Sequence, residues 1–344
     1  MSKAAKVTIM AGVVLAAAAW IFWKQLGPAW RDLGTAIRQV DPAMLALSFV
    51  FVLVSYACRA IRWGALIEHL KPRPDYWKLT RSQVAGFTAV ILFGRPGEFV
   101  RPYLIAEQQQ LPFNSQLAVW FLERIFDLLA VLVLFGFSLS QLGDDTAQRV
   151  GTGLAWVLRS GGTTAGVMAG VCCGAIISFR FFSGATRRLA QTVMGWLPGP
   201  LSLRLQTMLD AFFDGLAALR STRQIFLILL YSFVLWASIL AVFYCLCLGF
   251  PPTAHLTLTD AMIVYGFVAF GGAVQIPGIG GGVQVVTVLV LTELYGLKLA
   301  SASVMALLLW ISSMMSVPLG LLVVFQDGLD WGDLKSRSAA GAVT

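Results

Sequence analysis

The residues able to do chemistry in this chain are the charged ones that stand inside apolar sequence. In Phe93-Gly94-Arg95-Pro96-Gly97-Glu98-Phe99-Val100-Arg101-Pro102-Tyr103, Arg95, Glu98 and Arg101 recur every three residues. On a helix that spacing places them near one face. Gly94 and Gly97 permit close backbone approach, while Pro96 and Pro102 limit how far a helix can run. Farther on, Glu123 and Asp127 lie four apart beside Arg124, again on one helical face. Two chemistries fit this set. Arg95, Arg101 and Arg124 could neutralise Glu98, Glu123 and Asp127 in a structural cluster. Alternatively, the carboxylates hold the arginines ready, and the planar guanidinium forks take a phosphate at two points.

A second constellation is Gln275-Ile276-Pro277-Gly278-Ile279-Gly280-Gly281-Gly282-Val283-Gln284. It lacks the lysine and hydroxyl ending of a nucleotide-binding loop. As the tip of a hairpin it could present backbone amides to an anion, or it could simply be a tight turn needing positive φ. Glu293 follows as a lone carboxylate, functional or marking the membrane edge. With His69 and His255 as the only histidines, no Ser-His-Asp set and no metal site can be assembled. The expectation is no enzyme, no metal and no cofactor.

These charges must be positioned by a membrane protein. The 344 residues are 58% hydrophobic and 12% charged, with a mean hydropathy of +0.78. That composition excludes a soluble globule, a disordered chain and a disulfide-stapled secreted domain. A charge near the bilayer centre costs ~2.5–3.5 kcal/mol, so the charged set must pair, face water or sit at an interface. The 25 basic residues against 17 acidic ones fit cytoplasmic loops better than nucleic acid, for which no groove-reading motif exists. Cys58, Cys172, Cys173, Cys245 and Cys247 all lie in apolar runs and read as small hydrophobes.

The apolar runs predict spans at about Val7–Trp23 (an uncleaved anchor), Ala43–Cys58 or on to Trp63, Leu117–Leu139, Gly151–Phe179, Ile225–Phe250 and Leu299–Phe325. Two basic stretches separate them. The first holds Arg59, Arg62, Lys71, Arg73, Lys78 and Arg81 against Glu68 and Asp75. The second, within an amphipathic stretch of about 180–224, holds Arg180, Arg187, Arg188, Arg204, Arg220 and Arg223 against Asp210 and Asp214. Each is net +4, so both should be cytoplasmic with the N-terminus. That holds only if Ser82–Pro112 enters and returns on one side. Thr259–Tyr295 is interrupted by glycine and Pro277 in the same way, and such paired segments point to a transport site. The fold predicted is all-α and polytopic: six full spans plus two broken or re-entrant hairpins, an arrangement that admits an inverted repeat, with eight crossings as the alternative. Residues 1–325 form one membrane domain and 326–344 a short cytoplasmic tail.

The charged motifs resemble a known family. Phe93–Tyr103 is similar to its glycine-arginine-x-glycine-glutamate-x-x-arginine motif. Leu122-Glu123-Arg124-Ile125-Phe126-Asp127-Leu128-Leu129 is similar to its glutamate-arginine-hydrophobic-phenylalanine-aspartate signature. This is the lysylphosphatidylglycerol synthase transmembrane-region, or flippase-like, family. The resemblance extends through Trp63, Phe213-Asp214-Gly215-Leu216 and Trp236 to the Pro277 run, covering roughly Ala43–Phe325. In the family that run ends in glutamate; here Ile279 interrupts the glycines and Gln284 takes the glutamate position.

The resemblance implies a bacterial or archaeal cytoplasmic-membrane protein, related to the lipid-translocating half of aminoacyl-phosphatidylglycerol synthases. The aminoacylating domain of those synthases has no counterpart in Gln326–Thr344, so synthase activity is not carried over. The expected substrate is an anionic phospholipid or polyprenyl-phosphate-linked molecule, held by Arg95, Glu98, Arg101, Glu123, Arg124 and Asp127. The backbone around Gly94, Pro96, Gly97, Pro277, Gly278, Gly280, Gly281 and Gln284 would form the hairpin tips. The alternative is a non-transporting scaffold or partner subunit of a lipid- or glycan-modifying system. A homo-oligomer or a lipid-modifying enzyme partner is compatible with either.

Overall fold

The computed structural model describes residues 37–142, 150–181, 210–217, 221–271, 275–276 and 280–326, with Thr35, Thr146, Gly184, Thr192, Gln206 and Met208 singly. The span expected at Val7–Trp23, the turn at Asp144 and Asp145, the tail and most of the 180–224 stretch lie outside the described residues.

Helix α1 spans Pro42–Ile67, started by Asp41, whose side chain accepts from the Ala43 amide at 2.8 Å, and by Pro42 in the first turn. It runs past the expected end at Cys58 because the apolar pattern continues to Ile67. Helices α2 (Tyr76–Phe93) and α3 (Val100–Gln109) flank a 3-10 turn at Arg95–Phe99. Gly94, at φ 71°, ends α2 in a conformation that favours glycine. Then come α4 (Phe113–Gln141), α5 (Thr152–Phe181), α6 (Thr222–Gly249), α7 (Leu258–Gly271), β1 (Gln275–Ile276), β2 (Gly280–Gly281), α8 (Gly282–Glu293), α9 (Leu299–Met314) and α10 (Val317–Gln326). The expected last span is thus broken at Met315–Ser316, where Pro318 cannot donate into a continuous helix.

The described residues form an all-helical protein apart from the two-residue strands, which pair antiparallel with Gln275 opposite Gly281. Four candidate membrane spans stand out by length and composition: Pro42–Ile67, Leu154–Phe181, Thr222–Gly249 and Leu299–Gln326. Helix α4 is as long, at 29 residues, but carries Glu123, Arg124 and Asp127. Exposed Phe226 and Phe233 on α6, and Trp156, Val171 and Phe181 on α5, give outer faces suited to hydrocarbon rather than water.

Helices α1 and α6 pack along their length and run antiparallel. The Asp41 amide donates to Gly249 O at 2.8 Å at one end, and Arg223 meets Glu68 at 3.2 Å at the other. The chain's turns sort to the same two ends. At the Glu68 end, Lys71 Nζ donates to Gln109 O at 2.9 Å, and the Gln109 side chain both accepts from and donates to the Asp75 backbone. The residue that ends α3 is therefore bound to the residue that begins α2, and the two helices form a closed hairpin. At the other end, Tyr295 Oη donates to Asp260 Oδ1 at 3.2 Å, closing α7 and α8 in the same manner. Glu293 accepts from the Gly151 amide at 2.8 Å, a tie between this hairpin and the start of α5.

Candidate functional site

The charges of α4 meet those of α1 and α3. Arg62, fully buried on α1, is the centre: Nη2 donates to Glu123 Oε1 at 2.6 Å, and Nη1 to Asp127 Oδ1 at 2.7 Å and Ser232 Oγ at 3.0 Å. Arg101 Nη2 pairs with the other Glu123 oxygen, and its Nη1 donates to Gln83 Oε1 at 3.2 Å. Arg124 Nη2 lies 3.0 Å from Asp127 Oδ2 and 3.5 Å from Glu123 Oε2. Arg59 Nη1 stands 3.8 Å from Asp127 Oδ2. Phe87 lies under both the Arg59 and Arg101 guanidiniums, at 4.5 and 5.0 Å from the ring centre, and Trp63 also faces Arg101 at 5.0 Å. One arginine bridging two carboxylates offsets the desolvation that would otherwise expel them.

Local sequence explains how these groups come so close. Gly86 on α2 faces Arg101, and a Cβ there would come within 2.6 Å of Arg101 Cβ, so only glycine lets α3 approach at this level. Gly97 likewise sits on the α2 backbone at Ala89 and Val90. The expectation of close approach at Gly94 and Gly97 thus holds at Gly97, while Gly94 provides the positive φ.

Of the expected substrate residues, Arg101, Glu123, Arg124 and Asp127 converge, and Glu98 is half-buried beside Arg101 and Arg124 on the same cavity wall. The Arg95 side chain lies outside the description; its backbone opens the 3-10 turn. In the glycine run, Pro277 and Gly278 are outside the described residues. Gly280 and Gly281 pair with Ile276 and Gln275, and Gln284 accepts from the Gly281 amide at 2.7 Å as a helix cap.

Sequence reasoning missed Arg59 and Arg62, which it placed in a cytoplasmic loop. They are helical and belong to the cluster, which leaves the first basic stretch Lys71, Arg73, Lys78 and Arg81 against Glu68 and Asp75, net +2 rather than +4. The available signal was the apolar run continuing from Ala60 through Ile67. Gln83 and Ser232 gave no signal.

The arginines open on a cavity of about 390 Å³. One wall carries Arg59, Glu98, Arg101 and Arg124; the opposing one carries Tyr265, Val268 and Ala269 of α7 and Val283 of α8. Both hairpins therefore contribute. Two buried donors have no hydrogen-bond partner among the described residues: Arg124 Nε and Nε1 of the cavity-lining Trp236. Such a site suits an acceptor-rich anion.

Apolar spans, paired hairpins and a charged cluster define a multi-pass helical membrane protein. The chain belongs to the Lysylphosphatidylglycerol synthase TM region family, whose model matches residues 9–324. It is also 30% identical over 157 residues to the glycosyltransferase AglD of Haloferax volcanii, a match covering 44% of this chain and 25% of that protein. The chain thus spans a quarter of the length of that relative. No solved structure matches it.

Proposed function

We propose that this protein binds an anionic phospholipid or lipid-linked phosphate in the cavity between its hairpins and carries it across the cytoplasmic membrane, without catalytic activity of its own. One observation carries the reading: four guanidiniums, those of Arg59, Arg62, Arg101 and Arg124, converge on a cavity bounded by both hairpins, with unpartnered donors in its wall. A purely structural cluster would need no cavity and no surplus donors.

The proposed topology has six spans, counting Val7–Trp23, and two re-entrant hairpins. The Gln109 end of the bundle and both termini are cytoplasmic. Support comes from the hairpin closures and from the antiparallel α1 and α6, which relate the halves as an inverted repeat. The AglD similarity favours one second reading, a non-transporting subunit of a glycan-modifying system.

Proteoliposomes separate the two. Arg101→Ala should abolish movement of a fluorescent anionic lipid while the protein still folds. Movement at the wild-type rate would remove Arg101 from the site, and wild-type protein moving no lipid would favour the subunit reading.

A further inference from the structure

The cavity has a second chemical end, and it rests on the reading just given. Ser55 and Tyr56 lie one turn from Arg59 on α1; Ser312 and Ser313 face the same space from α9, just before its break. The serine hydroxyls spend their protons on their own helices: Ser55 Oγ donates to Val52 O at 2.6 Å, and Ser312 and Ser313 both donate to Leu309 O at 3.0 Å. A hydroxyl that has donated still has lone pairs. This end of the cavity therefore offers acceptors, whereas the arginine end offers donors.

The charge balance narrows the ligand further. Around the cavity, four guanidiniums stand against the three carboxylates of Glu98, Glu123 and Asp127, and the latter two are each held by more than one arginine. A cationic headgroup would meet uncompensated positive charge and no carboxylate free of guanidinium in the pair on α4. At about 390 Å³ the space is at the small end of ligand pockets, the size of a headgroup rather than of acyl chains.

We infer that the cavity is a two-part headgroup site, with Arg59, Arg101 and Arg124 taking a lipid phosphate and Ser55, Ser312 and Ser313 taking the hydroxyls of an uncharged polyol attached to it. The substrate class is a lipid phosphodiester bearing glycerol or a sugar, and an aminoacylated, cationic headgroup is rejected.

The test uses the full chain in proteoliposomes with chain-labelled phosphatidylglycerol, a polyprenyl-phosphate hexose, phosphatidic acid and lysyl-phosphatidylglycerol. One or both hydroxylated anions should move about tenfold faster than phosphatidic acid, as loss of one or two hydrogen bonds would dictate; the faster of the two identifies the headgroup. Lysyl-phosphatidylglycerol should move slowest. Ser312→Ala with Ser313→Ala should reduce the hydroxylated lipid to the phosphatidic acid rate and leave phosphatidic acid unchanged, which also shows that the variant folds. Equal rates for phosphatidic acid and the hydroxylated anions, or a preference for the lysyl lipid, would overturn the two-part site while leaving anionic lipid transport standing in the first case. Movement of none of the four would overturn the transport reading itself.

Discussion

The two hairpins share a design and differ in what they carry. In each, a longer helix leads to a glycine- and proline-containing turn and a shorter helix returns to the starting end, where one side chain closes the loop: Gln109 on Asp75, Tyr295 on Asp260. The first hairpin brings Glu98 and Arg101 to the cavity. The second has no charged residue between Asp260 and Glu293 and presents Tyr265, Val268, Ala269 and Val283. A repeated backbone can therefore build an asymmetric site. The charge is concentrated where α4 supplies buried carboxylates to hold it; an arginine on the second hairpin would have no such partner.

That asymmetry can be broken most severely at Arg62. Arg62→Leu leaves Glu123 and Asp127 without their shared bridge, and loss of one partner of a buried pair typically costs about 3–5 kcal/mol. The thermal unfolding midpoint in detergent should fall sharply. An unchanged midpoint would mean that Arg59, Arg101 and Arg124 suffice to hold the carboxylates.

A smaller effect comes from giving the apolar hairpin a charge. Ala269→Glu places a carboxylate on the wall opposite the arginines and should slow anionic lipid movement about tenfold relative to Ala269→Gln, a difference of ~1.4 kcal/mol. The glutamine variant controls for bulk. Equal rates for the two variants would show that the charge of the second wall does not matter.

The gentlest perturbation tests whether the hairpins open to opposite sides. In a chain lacking its five cysteines, Glu107→Cys and Lys298→Cys place exposed thiols at the two ends. A membrane-impermeant reagent added outside intact cells should label position 298 and spare 107, with lipid movement unchanged in both. Labelling of both would mean that the first segment crosses the membrane and that the halves are not inverted.

Much of this was legible in the residues alone. Hydropathy marked the long helices, since backbone in hydrocarbon must satisfy its own hydrogen bonds. Glycine and proline marked both hairpins, and charges stranded in apolar sequence marked α4 and α3. The residue types of Glu123, Arg124, Asp127 and Arg101 were enough to single them out, because such charges are expensive unless they are paired or used.

The tertiary structure alone decided which charges belong together. Arg59 and Arg62 follow an apolar run and precede basic residues, so local sequence reads them as the start of a loop. Their carboxylate partners lie more than sixty residues away, at |i−j| of 61 and 65 for Arg62. The distinction between a loop arginine and a buried one is made by the packing of α1 against α4 and α6, and no local pattern encodes it. The same holds for Ser55 and Ser312: alone each is an ordinary helical serine, and only the fold sets them in one cavity beside the arginines.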